Sequence, residues 1–139
     1  MIILDTNIIS ELMRIEPEKK VSGWVDSILV SNLGITSITV SEILYGIGLL
    51  PPGKKSRRLF EIAGILFESD FTGRIFSFDQ SAAVDYAKIV IQREKIGNPI
   101  SMADAQIASI CRSKDFILAT RNTRDFINTG IQLIDPWSL

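Results

Sequence analysis

Residues 1–10, "MIILDTNIIS", place an aspartate directly after a short apolar run, and Thr6 and Asn7 separate it from a second one. Ile2–Leu4 consists of residues that favour strands, and the pattern becomes helical from about Asn7 to Met13. A carboxylate at such a junction is either the cap of the helix that follows or the first ligand of a site. The interpretation of Asp5 therefore depends on the rest of the chain.

The alternation of a short apolar strand with a helix continues to the end of the chain. Further strands are predicted at Leu33–Thr36 and within residues 74–79, 116–120 and 131–135. Helices with one apolar face are predicted around residues 21–28, 40–47, 56–67, 80–91 and 100–113. Strands that are apolar without alternation indicate a parallel sheet covered on both faces. We therefore predict one α/β domain over residues 1–139, a three-layer α/β/α fold with four or five parallel strands.

The composition excludes several kinds of site and partner. The chain contains no histidine, which rules out Ser-His and Cys-His catalysis and His-rich zinc sites. A single cysteine, Cys111, gives no disulfide framework and indicates a reducing compartment, so a cytoplasmic location is expected. No apolar run is long enough for a membrane span, and a net charge of −1 excludes a strongly basic footprint. Catalysis would have to rest on carboxylates, hydroxyls, lysines or a metal.

Three acids are candidates for a common site, and each also has a structural explanation. Asp5 ends the first strand, and Glu42 and Asp104 are predicted in the first turns of helices. The spacings Thr39-x-x-Glu42 and Ser101-x-x-Asp104 also fit capping boxes. At the carboxyl edge of a parallel sheet, however, gathered carboxylates repel unless a cation lies among them, and Mg²⁺ prefers such oxygens. The combination predicts a metal site for phosphate-ester chemistry.

Four stretches of the sequence together resemble PIN domains. They are "MIILDTNIISEL" at 1–12, "ITVSEILYGI" at 38–47, "MADAQIAS" at 102–109, and "ILATRNTRDF" at 117–126 followed by "LIDPW" at 133–137. The resemblance is to the VapC-type toxin ribonucleases of bacterial toxin–antitoxin pairs, in the FitB-like branch. It extends over essentially the whole chain and implies a single PIN domain at residues 1–139.

The resemblance implies roles for particular residues. Asp5, Glu42 and Asp104 match the metal-binding acids, and Asn122 takes a fourth catalytic position where the family often has Asp. The amide in that position leaves open whether one ion or two are bound. Neighbouring positions that would support the site or contact substrate are Thr6, Asn7, Thr120, Arg121 and Asp125. Capping of the turn at Phe126 is the alternative role for Asp125.

The function that the resemblance implies is a Mg²⁺- or Mn²⁺-dependent endoribonuclease that hydrolyses RNA phosphodiester bonds and acts as a toxin. Its partners would be RNA, a cognate antitoxin that blocks the site and commonly binds DNA, and a second copy of the chain, with no membrane involved. One alternative is a non-catalytic PIN-like binding module whose acids serve as helix caps. A haloacid-dehalogenase-type phosphatase is disfavoured, because that chemistry needs an acid where this chain has Asn7.

Overall fold

A sheet of five parallel strands forms the centre of the protein, described here by a computed structural model of residues 1–139. The strands run in the spatial order β3-β2-β1-β4-β5. Their bounds are β1 Ile2–Leu4, β2 Leu33–Thr36, β3 Ile75–Phe76, β4 Ile117–Ala119 and β5 Leu133–Ile134. The predicted parallel sheet is confirmed, with five strands.

Helices cover both faces of the sheet and create two apolar cores. The helices are α1 Thr6–Leu12, α2 Lys19–Asp26, α3 Ser37–Gly48, α4 Lys54–Ile65, α5 Gln80–Lys95 and α6 Met102–Lys114. Because successive strand residues point to opposite faces, Leu4 packs into the core with Ile8 and Val21, whereas Ile3 packs with Ile89 on α5. The three-layer arrangement is therefore confirmed. None of the helices combines the length and hydrophobicity needed to traverse a lipid bilayer.

The bounds of most elements differ from the sequence prediction by a few residues, as two of them illustrate. The strand expected within residues 74–79 contains only Ile75–Phe76, because β3 is an edge strand that pairs with β2 alone. After this strand, Asp79 is the N-cap of α5, and its carboxylate accepts the backbone N–H of Ala82 at 3.0 Å. The helix expected over residues 56–67 begins earlier, at Lys54, and ends in a π-helical turn, Leu66–Asp70.

Gly34 lies where the β2 backbone passes closest to its neighbours. A Cβ there would be 2.8 Å from Cε2 of Phe76, 3.0 Å from the carbonyl oxygen of Arg74 and 3.2 Å from Cδ1 of Ile3. Gly34→Ala is therefore expected to lower the free energy of unfolding by about 1–3 kcal/mol, as overpacking does elsewhere. Urea denaturation measures this. Gly23→Ala is the matched control, since a Cβ on α2 meets nothing within 4 Å and should stabilise that helix. Equal effects of the two changes would contradict the packing argument.

Candidate functional site

Asp5 joins the end of β1 to the start of α1, and its carboxylate makes hydrogen bonds on both sides. One carboxylate oxygen, Oδ1, accepts the backbone N–H of Thr6 at 2.8 Å, which caps the helix. The other, Oδ2, accepts the hydroxyl of Thr120 at 2.8 Å. The side chain is only 5% exposed. Burial raises the pKa of Asp5 to about 6 against the opposing effect of these hydrogen bonds, and the charges of Asp104 and Glu42 raise it further.

A short hydrogen-bond network holds Asp5 between the first and fourth strands. Thr120 follows β4, and its hydroxyl oxygen accepts the side-chain amide of Asn7 at 3.2 Å and the backbone N–H of Asn122 at 3.1 Å. The same Asn7 amide is 3.4 Å from Oδ2 of Asp5, and its oxygen accepts the backbone N–H of Arg121 at 3.2 Å. The expected supporting positions of Asn7 and Thr120 thus lie in contact with the carboxylate.

Glu42 lies one turn further along α3 than the sequence predicts, and it does not cap that helix. The N-cap is Thr36, whose hydroxyl oxygen accepts the backbone N–H of Thr39 at 3.2 Å. The proposed capping box of Thr39 and Glu42 is therefore wrong, because the helix begins as soon as β2 ends. Instead, the exposed Glu42 carboxylate accepts the hydroxyl of Thr6 at 2.7 Å. Thr6 thereby contacts both acids, since its hydroxyl donates to Glu42 and its backbone N–H donates to Asp5.

Asp104 occupies the first turn of α6, as predicted. Its backbone N–H donates to the hydroxyl of Ser101, the N-cap, at 3.2 Å. Burial of the half-buried carboxyl raises its pKa, and the charges of Asp125 and Glu42 act in the same direction, while Ser101 and Arg93 oppose it. The Asp104 carboxylate is therefore close enough to Asp5, Glu42 and Asp125 for charge repulsion.

The acids face one another without forming a closed cage. No group of three or more acidic or cysteine side chains lies close enough together to hold a metal ion. Mg²⁺ does not require such a cage, since it usually binds through one or two carboxylates and keeps several waters. A buried carboxylate whose pKa is raised by desolvation and by other carboxylates gains most from a cation beside it. The donor set therefore fits a hydrated divalent ion centred on Asp5.

Asn122 and Asp125 lie on an exposed turn beside these acids. Asn122 precedes the 3₁₀ turn Thr123–Phe126, and its side chain makes no capping hydrogen bond. Asp125 lies within the turn, where its carboxylate faces Asp104 and makes no side-chain hydrogen bond. The capping role considered for Asp125 is wrong, because the residue at the N-cap position is Asn122.

Arg93 belongs to the surroundings of the site, although sequence reasoning did not single it out. Its guanidinium is 3% exposed and donates to the carbonyl oxygens of Asn98 at 2.6 Å, Asp125 at 3.0 Å and Ile127 at 3.0 Å. These bonds fix the turn that carries Asp125 against the end of α5. The sequence did contain a signal, since Arg93 follows the buried Ile89 by one helical turn and so lies on the inner face.

Comparison with known proteins identifies the family of this chain. Residues 2–131 match the family model described as the PIN domain. The chain belongs to the PIN-domain family. This PIN domain is 37% identical over 139 residues to VapC ribonuclease Y4jK of Sinorhizobium fredii, with 99% of this chain and 98% of that protein covered. It is 36% identical over 137 residues to Toxin FitB of Neisseria gonorrhoeae, with 99% of each covered.

A solved structure agrees with the PIN domain over its full length. The structure of FitAB bound to an IR36 DNA fragment contains a chain with a TM-score of 0.93 and 37% sequence identity. The match covers 100% of this chain and 97% of that one. The resemblance expected from four sequence stretches and the expected α/β fold are both confirmed.

Proposed function

We propose that this PIN domain is the toxin of a toxin–antitoxin pair and acts in the cytoplasm as a divalent-metal-dependent endoribonuclease. The observation that carries the proposal is the buried Asp5 carboxylate, whose pKa is raised and which faces Asp104 and Glu42 at the carboxyl edge of the sheet. The names of the relatives, VapC ribonuclease and Toxin FitB, support the same reading.

The residues of the site divide into ion-binding groups and groups that orient them. Asp5, Glu42 and Asp104 would hold Mg²⁺ or Mn²⁺ through carboxylate oxygens, directly or through water. When bound, the ion supplies a water of lowered pKa and neutralises charge on the phosphate. Thr6 and Thr120 orient the carboxylates by donating hydroxyl hydrogen bonds to Glu42 and Asp5.

Asn122 and Asp125 face the substrate side of the site. Asn122 is exposed, and its backbone N–H is held by Thr120, so its amide is positioned to contact a bound phosphate or a water. Because the amide is neutral, Asn122 adds no charge to hold a second ion. The exposed carboxylate of Asp125 would add a further oxygen donor next to Asp104.

An apolar cleft beside Glu42 suits an inhibitory protein partner. The cleft has a volume of about 180 Å³ and lies between α1, α3 and α4, with Thr6, Glu42, Met13, Ile47 and Leu59 among its lining residues. Tyr45 on α3, Leu49 directly after it and Phe60 on α4 are exposed. An antitoxin seated on this surface would cover Glu42, which is how we propose it blocks the site.

The family resemblance also underlies our proposals of a DNA-binding antitoxin and of a homodimer or a larger assembly with the antitoxin.

The alternative of a non-catalytic module with capping acids explains only part of the site. Asp5 does cap α1, and Asp104 follows a capped helix start. Glu42, however, caps nothing and is held by the hydroxyl of Thr6. A capping role therefore does not explain why the Glu42 carboxylate lies near the other acids, whereas an ion-binding role does.

Cleavage of a labelled RNA pool by the purified protein tests the proposal. We expect cleavage products with Mg²⁺ or Mn²⁺ and none with EDTA. The same ions should raise the melting temperature, since an ion present at 100 times its Kd stabilises the native state by about 2.7 kcal/mol. No cleavage together with a melting temperature indifferent to both ions would support the non-catalytic module.

A further inference from the structure

Arg121 and Trp137 leave the sheet side by side next to the candidate site. β4 and β5 are adjacent and parallel, with Leu118 opposite Leu133 and Ala119 opposite Ile134. Arg121 follows β4 and Trp137 follows β5, so both lie at the carboxyl edge where Asp5 is found. The guanidinium carbon of Arg121 is 5.0 Å from the centre of the Trp137 ring. This distance is typical of a cation–π contact.

The charge of Arg121 is not neutralised within the chain. Arg121 is exposed, and its guanidinium pairs with no carboxylate. The ion pairs of the protein are Arg14–Glu11, Arg112–Asp85 and Lys114–Asp79. A cation next to a group of acids would be drawn onto them by Coulomb attraction. The Arg121 guanidinium instead contacts the Trp137 ring and no carboxylate, so its charge is free to bind an anion.

Neighbouring residues hold both the backbone of Arg121 and the Trp137 ring that its guanidinium contacts. Its backbone N–H donates to Oδ1 of Asn7 at 3.2 Å, and Asn7 in turn contacts Thr120 and Asp5. At the other end, the Trp137 ring packs against the apolar core. The turn that carries Trp137 is held by Asp135, whose carboxylate accepts the backbone N–H of Trp137 at 2.9 Å. The guanidinium is thus held at a defined place relative to Asp5.

We propose that Arg121 binds a backbone phosphate of RNA next to the scissile one, and that Trp137 is the positioning residue that keeps the guanidinium in place for it. The proposal rests on the proposed ribonuclease function. A planar guanidinium matches two phosphate oxygens with two parallel N–H bonds. Holding it in position beforehand reduces the conformational entropy that binding would otherwise cost. Loss of Trp137 should therefore weaken RNA binding even though the charge of Arg121 remains.

Steady-state cleavage kinetics at several salt concentrations separate the two roles. Arg121→Gln should raise KM by about tenfold with kcat little changed, and should reduce the salt dependence of binding by about one phosphate contact, a slope change of about 0.7. Trp137→Leu should raise KM by about threefold with the salt slope unchanged, because the charge is retained. Trp137→Phe keeps an aromatic face and should restore most of the affinity. Lys88→Gln removes an exposed cation on α5 and is the matched control, with KM unchanged.

RNA binding by the wild type, Arg121→Gln and Trp137→Leu in EDTA, measured by fluorescence anisotropy with the same labelled RNA, distinguishes this inference from the proposed function. A protein that binds RNA in an Arg121- and Trp137-dependent way but never cleaves it supports the inference and rejects the nuclease. Normal cleavage with KM unchanged in Arg121→Gln and Trp137→Leu overturns the inference and retains the nuclease. A Trp137→Leu protein with a lower melting temperature and an unchanged KM assigns Trp137 a structural role only and also overturns it. Absence of any RNA binding overturns both.

Discussion

The Asp5→Asn protein is expected to cleave RNA at least about 100-fold more slowly than the wild type while remaining folded. Even the loss of a residue that only orients a metal ligand costs roughly 10–100-fold in affinity or activity. Asp5 is the most buried acid of the site, and two hydrogen bonds, from Thr6 and Thr120, fix its oxygens. An amide in its place keeps the shape but removes the negative charge. Initial cleavage rates with saturating Mg²⁺ or Mn²⁺ measure the effect.

Asp79→Asn is the matched control for that change. Asp79 is also an aspartate at the N-cap of a helix that follows a strand, and its carboxylate also accepts a backbone N–H, that of Ala82 three residues on. Asn and Asp are about equally good at an N-cap, so both variants should stay folded. Asp79→Asn should cleave RNA at the wild-type rate. Equal activity of Asp5→Asn and the wild type would show that Asp5 is not a catalytic residue.

The pH dependence of stability is the second large effect and concerns the protein without metal. Burial raises the pKa of Asp5 from 3.8 to about 6, so the native state holds a proton that the unfolded state has released. A raised carboxyl pKa contributes stability that is complete below about pH 4 and is lost as the pH rises through about 6. For Asp5 the loss is on the order of 3 kcal/mol. Asp5→Asn has no such group. The free energy of unfolding of the variant minus that of the wild type should therefore increase by this amount as the pH is raised from about 4 to about 7.5.

Urea unfolding of both proteins in EDTA at these two pH values measures the difference. The comparison cancels the titrations of groups that do not interact with Asp5, including that of Asp79, whose pKa is lowered by the N–H of Ala82 and whose contribution has the opposite sign. At the higher pH, Asp5→Asn should be as stable as the wild type or more so. Asparagine can accept only one of the two hydrogen bonds made to Asp5, so part of the gain is offset there. A stability difference independent of pH would contradict the buried, protonated carboxyl.

Much of the fold follows from local patterns, because each strand and helix has a characteristic apolar periodicity. Leu33–Thr36 was predicted with its observed bounds, and Asp5 and Asp104 lie where strand ends and helix starts indicate. Glu42 was misplaced by a turn, because Thr36 and Thr39 are both suitable N-caps and only the end of β2 selects between them. The strand around Ile75 was overestimated for a similar reason, since pairing on one side limits its length.

These local patterns did not predict the contacts between distant parts of the chain. The stacking of Arg121 on Trp137 depends on the adjacency of β4 and β5, which no local spacing encodes. The burial of Arg93 could be inferred from its helical face, but its carbonyl partners at Asp125 and Ile127 could not. Asp5, Glu42 and Asp104 were proposed as a common site because carboxylates at the carboxyl edge of a parallel sheet are a chemical pattern as well as a structural one.

The hydrogen bond from Thr120 to Asp5 also determines when during synthesis the site can form. It joins residues 115 positions apart, one directly after the first strand and one directly after the fourth. A growing chain that has reached only Ala119 contains Asp5, Glu42 and Asp104 but lacks the hydroxyl that orients Asp5 and the β5 partner of β4. Thr120 is thus made long after the carboxylate that it orients. A protein proposed to cut RNA would therefore acquire an ordered site only once its own messenger had been read past the codon for Thr120.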